Sequence, residues 1–150
     1  YFFNAKPETQ MEFDLGLAVR EDSENPVYYV QYAHARICTL LKNLAADGHT
    51  VPSPDAVDFS LLTDSTELAL IKQIAGYSDI VRLAARDYDP SFINRYLTDL
   101  AAAFHKFYNA CRIKGEAEDL LNARLLLADT ARSVLKNGME LIGCSAPEKM

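Results

Sequence analysis

The chain has 150 residues, 49% of them hydrophobic and 24% charged, which suits one domain of ordinary size with a real core and excludes a disordered tail. Its net charge of −6 argues against a generic nucleic-acid binder, so any RNA contact has to be a local cationic and aromatic site on an acidic body. No apolar run is long enough to span a bilayer. No secretory leader is expected either, because Tyr1-Phe2-Phe3 is followed at once by Asn4, Lys6 and Glu8. A cytoplasmic protein is expected, and its non-Met first residue fits a piece of a longer chain.

Residues 1–24 read as a linker, with a break at Pro7 and a short helix over Glu12 to Arg20. Its apolar side chains (Phe2, Phe3, Met11, Phe13, Leu15, Leu17, Val19) have no obvious partners within the segment. Residues 25–150 read as the domain proper. Asn25-Pro26 starts a helix, since Asn caps free N–H groups and Pro fits the first helical position. Val30, Ala33, Ile37, Leu40, Leu41 and Leu44 recur at steps of three and four up to Ala46, and Asp47-Gly48 stops it. Residues 47–63, with Gly48, Pro52 and Pro54, form a loop. Asp64 or Ser65 caps the next helix, to about Ala75, with Leu68, Ile71, Lys72 and Ile74 on successive turns and Glu67 near the positive end of the helix dipole. After Gly76, a short helix spans about Ser78 to Asp87.

Asp89-Pro90 opens a helix expected to reach Arg112, with Phe92, Tyr96, Leu97, Leu100, Phe104, Phe107 and Cys111 inward and Lys114-Gly115 beyond. The last helix is expected from about Glu116 to Ile142. Gly138 weakens it and Gly143 ends it, and a tail from Cys144 to Met150 follows. No segment alternates with period two over strand length. The fold class is therefore all-α, a helical bundle of about four or five main helices with short connections.

Catalytic and metal motifs are absent. The sequence has no Gly-rich phosphate loop, nucleophile elbow, His-Glu-x-x-His or Cys-x-x-Cys, and His34, His49 and His105 are far apart. Cys38, Cys111 and Cys144 read as buried reduced thiols, and the acidic residues read as mostly solvated. No catalytic residue, no metal ligand and no cofactor is assigned to this stretch, which alone is not expected to be an enzyme.

Two patches carry chemistry. Three tyrosines in five residues are unusual for a helix, where aromatic side chains lose rotamer freedom. At about 3.6 residues per turn, Tyr29, Tyr32 and Arg36 fall close to one line at the edge of the apolar stripe. Rings beside a guanidinium suit an unstacked base, although a tyrosine-rich rim covering the core would look the same. His105, Tyr108 and Arg112 share a helical face by their spacing, and an ordinary helix end is the alternative there.

The stretch Asn-Pro-Val-Tyr-Tyr-Val-Gln-Tyr-Ala-His-Ala-Arg-Ile from Asn25 to Ile37 closely resembles the helix that opens the C-terminal, DALR-type domain of bacterial-type arginyl-tRNA synthetases. Glu12-Phe13-Asp14-Leu15 to Ala18, Phe104 to Arg112, and Leu135 through Met150 agree with that family in order and approximate spacing. The family usually has Asp where this chain has Gly16 and Arg where it has Lys149. The resemblance implies a class I aminoacyl-tRNA synthetase whose helical domain holds the anticodon loop of arginine tRNA. Tyr29, Tyr32, Arg36, Tyr108 and Arg112 would then form the RNA site, with the Met150 terminus closing the same pocket. The catalytic domain of the parent chain, using ATP with Mg, would lie upstream, and some lead-in apolar residues would face it. A helical protein–protein interaction module without RNA binding is the alternative. No DNA or membrane partner is expected.

Overall fold

The protein is described by a computed structural model covering residues 14–22 and 24–150. The described residues form helices and turns without a strand. They comprise α1 (Leu15–Ala18), α2 (Pro26–Ala46), α3 (Ser65–Ala75), α4 (Tyr77–Asp87), α5 (Ser91–Ala110) and α6 (Glu118–Leu141), with one-turn 3-10 segments at Pro54–Ala56 and Phe59–Leu61 in the long connection. The short helix of the lead-in is thus α1. Glu12 and Phe13, like Phe2, Phe3 and Met11, lie outside the described residues.

Caps explain most boundaries. The Asn25 side chain accepts from Val27 N at 3.0 Å, while its Nδ2 donates to the Arg20 carbonyl at 2.9 Å, so one residue starts α2 and ties the lead-in to it. Asp64 and Glu67 form a reciprocal capping box at α3. Asp89 Oδ1 accepts from Ser91 N at 2.9 Å, and α5 begins there. At the end of α6, Gly143 takes φ +73, Cys144 N donates to the Met139 carbonyl and Gly143 N to the Glu140 carbonyl, which closes the helix in a Schellman turn.

Helix α5 is the spine. It packs against α2, α3, α4 and α6, and Leu97, Leu100, Phe104 and Phe107 are fully buried along it. Ile37 and Leu44 from α2, Leu70 from α3, and Leu125, Leu135 and Met139 from α6 complete one core. At roughly 1.5–3 kcal/mol for each large apolar side chain buried, this cluster holds the bundle together.

Three expectations need correction. Helix α5 stops at Ala110, because Cys111 takes extended backbone angles (φ −109, ψ 116). From there Cys111 and Ile113 are buried while Arg112 and Lys114 are exposed, the alternation of an extended segment. In α3 the inward residues are Leu70 and Glu67, whereas Leu68, Ile71 and Lys72 are exposed. Glu67 is therefore no solvated acid. It is 0% exposed, its Oε1 accepts from Arg124 Nε at 2.6 Å and its Oε2 from Asp64 N at 2.8 Å. Helix α6 runs unbroken through Gly138, where a Cβ would stand 2.6 Å from Leu97 Cδ2. Finally, all three thiols are free, but only Cys111 is buried.

Candidate nucleic-acid interface

Helix α2 supplies one wall of the cluster and α5 the other. Because Val30, Ala33 and Ile37 face the core, Tyr29 and Arg36 fall on the flank of α2 that turns toward α5. On α5, Phe104 and Phe107 are buried, and that places His105 and Tyr108 at the rim facing α2.

The contacts run in a chain. The His105 ring lies 5.3 Å from Tyr29 and 6.1 Å from Tyr32, centroid to centroid, with tilted planes. The Arg36 guanidinium carbon stands 4.5 Å from the Tyr108 ring centre and 5.9 Å from that of Tyr32. Phe104 backs Tyr108 at 5.8 Å. Among the described residues no carboxylate pairs with Arg36. A guanidinium held over a ring gains roughly 0.5–2 kcal/mol and keeps its N–H groups free to donate. Tyr32 is the outermost member, at 42% exposure. The two tyrosine-bearing faces therefore meet in one half-buried cluster.

Electrostatically the cluster is a cation among neutral rings. Burial pushes His105 below the ordinary imidazole range, and the Arg36 charge pushes it further the same way. Burial also raises the Tyr29 phenol. Arg36 thus carries the positive charge, and the rings around it offer stacking faces and phenol oxygens. Such a set can hold an unstacked base and hydrogen-bond its edge.

The other sequence-predicted residues sit differently. Arg112 lies beyond the end of α5 and off its helical face. It borders an open recess with Tyr108, Ile113 and Lys114. That segment is pinned by Lys114 Nζ to Asp47 at 2.6 Å and by Arg124 Nη1 donating to the Arg112 carbonyl. The tail does fold back on α2, but on another flank. Gln31 Nε2 donates to the Ser145 carbonyl at 2.9 Å, and His34 Nδ1 donates to the Pro147 carbonyl at 2.8 Å. Met150 closes a recess lined by Val19, Arg20, Tyr28 and Gln31, which includes neither Arg36 nor Tyr108. Met150 thus borders the Tyr28 side of α2 rather than the Arg36–Tyr108 stack. His105 belongs to the patch that spacing marks, whereas Gln31 and His34, which hold the tail, carry no such local signal.

Among the described residues no helix is long and apolar enough to cross a membrane, and no group of three His, Cys, Asp or Glu side chains could hold a metal ion.

Residues 30–150 match the family model of the DALR anticodon binding domain. Over its whole length the chain is 50% identical to an arginine–tRNA ligase of Ruminiclostridium cellulolyticum and 46% identical to that of Acetivibrio thermocellus, and it spans 27% of each. A Campylobacter jejuni structure described as an arginyl-tRNA synthetase superposes on 99% of the chain with a TM-score of 0.84 and 33% identity, the match covering 32% of that chain. The Thermus thermophilus arginyl-tRNA synthetase gives 0.81 and 29% over 98% of this chain and 25% of its own.

Proposed function

Because the chain belongs to the family of DALR anticodon-binding domains, we propose that it holds the anticodon loop of arginine tRNA as the helical domain of an arginine–tRNA ligase. The observation that carries this reading is the Arg36 guanidinium stacked on Tyr108 within a half-buried ring cluster, with no carboxylate paired to it among the described residues. On an acidic body this is a local site, able to read a base but weakly equipped for phosphates.

In this reading Tyr29, Tyr32, Arg36 and Tyr108 line the base pocket. Arg112 approaches the neighbouring backbone phosphates, and Met150 borders the loop from the Tyr28 flank. Residues 1–24 connect the helical domain to the rest of the ligase. The chemistry, joining arginine to its tRNA with ATP and Mg in the cytoplasm, belongs to the part of the parent outside this chain. Here the domain contributes recognition, and binding energy at the anticodon positions the distant acceptor end for reaction.

The test is a titration of the chain with arginine tRNA and with the same tRNA changed only at the middle anticodon base. Preference for the unchanged tRNA is expected. Equal affinities would remove the anticodon from the account.

A further inference from the structure

On a different face of the bundle lies an apolar recess of about 410 Å³ that shares no residue with the ring cluster. Phe59 from the long connection, Leu62, Ile71 and Ile74 at α3, and Leu126 and Leu127 on α6 form its walls. Phe59 is 50% exposed and Ile71 36%. Burying these side chains against something would gain roughly 25 cal/mol for each Å² removed from water. Open apolar walls of this kind, rimmed by polar groups, mark interaction sites.

The rim is predominantly acidic, although Lys72 beside Ile71 on α3 is exposed. From Asn43 to Ile71 the chain has five carboxylates, Asp47, Asp55, Asp58, Asp64 and Glu67, and no Lys or Arg. Asp47 and Glu67 are neutralised by Lys114 and Arg124, whereas Asp55, Asp58 and Asp64 are exposed beside the recess. Asp119, two turns before Leu126 on the same face of α6, is exposed as well. Carboxylates repel phosphates, so this face does not suit RNA. It suits a peptide segment with apolar residues at its centre and Lys or Arg at its flanks.

We propose that the recess seats such a basic-flanked apolar segment from the same polypeptide, outside these 150 residues. This inference rests on the reading of the chain as one domain of a longer ligase. Two observations select an intramolecular occupant. The curated relatives extend far beyond the match, which spans 27% of their length. The recess is also small: nine residues line it, against roughly 20–30 residues a side in a stable complex of free partners. A tethered segment needs less surface, because its effective concentration is on the order of millimolar. Docking here leaves the ring cluster open to the anticodon.

The experiment uses the full-length protein with a photoreactive benzoylphenylalanine in place of Phe59, irradiated at low protein concentration and mapped by mass spectrometry. The expected product is a cross-link within one chain, to an apolar segment beyond residues 1–150 that is flanked by Lys or Arg. Adding Ile71→Lys should reduce its yield about tenfold, as a loss of roughly 1.4 kcal/mol would. Leu68→Lys, on the exposed flank outside the recess, should leave the yield unchanged and thereby controls for folding. Cross-links confined to residues 1–150, a cross-linked second copy, or a cross-link to tRNA would each overturn the proposal. Parallel titration with the two tRNAs separates this failure from that of the anticodon reading, since either can fail while the other stands.

Discussion

A Cβ added at Gly138 would meet Leu97, whereas one added at Gly143 would meet nothing within 4 Å. The first glycine is there so that α6 can approach α5, and the second because φ +73 strains any L side chain. Gly138→Ala is therefore expected to lose about 1–3 kcal/mol by overpacking, and Gly143→Ala about 1 kcal/mol through its backbone. Shortening Leu97 to Val should couple with the first substitution and not the second in a double-mutant cycle by urea denaturation. Absence of that coupling would contradict the close approach. At Tyr108, removal of the ring should weaken tRNA binding by roughly 1–3 kcal/mol if a base stacks there, and an affinity unchanged in Tyr108→Ala would take this residue out of the site. His34 adds a pH dependence. Burial lowers its proton affinity in the folded state, an effect the Pro147 carbonyl only partly opposes. On acidification the unfolded chain takes up this proton first. Stability present above about pH 6.5 should then fall as the pH drops below it and level off below the folded value. His105 is depressed as well and acts in the same direction. Urea midpoints at pH 7.5 and 5.5 check this: the fall should be smaller in His34→Gln, and identical midpoints in the wild type would contradict it.

Helix starts were legible from the sequence because caps are local. Asn25-Pro26, Asp64 with Glu67, and Asp89 place their first turns within a residue of where the structure has them. Helix ends and facing were less so. The end of α5 depends on Cys111 and Ile113 turning inward, and the only local trace is the alternation of apolar Cys111 and Ile113 with basic Arg112 and Lys114. The face of α3 depends on Arg124, which is 57 residues away in sequence and invites Glu67 inside. Leu68 and Ile71, which the spacing sets on successive turns, are both exposed. The buried Glu67–Arg124 pair supports a prediction about the element. Glu67→Ala removes half of the α3 capping box and leaves the nearly buried Arg124 guanidinium with only Glu116 at 3.5 Å and the Arg112 carbonyl, so a loss of about 3–5 kcal/mol is expected by urea denaturation. A loss below about 1 kcal/mol would show the pair to be unimportant.

For the molecule as a whole, charge and aromatic placement divide the surface. The ring cluster and Arg112 hold the cationic side of the candidate site, while the long connection concentrates exposed carboxylates at Asp55 and Asp58. Few phosphates can be neutralised by so acidic a body, so the dependence of tRNA affinity on salt should be shallow, with a slope of about −0.7 for each contact in the single-stranded loop. Both halves of the site were visible in the sequence as aromatic and basic side chains at helical spacing. That they join into one cluster depends on how α2 packs on α5, which no local pattern states. The anticodon account meets its most direct test in Arg36→Ala, titrated with arginine tRNA and with the variant changed at the middle anticodon base. If the guanidinium over Tyr108 reads that base, the substitution should lower affinity for the unchanged tRNA to nearly that of the changed one. A discrimination ratio left intact without Arg36 would contradict it.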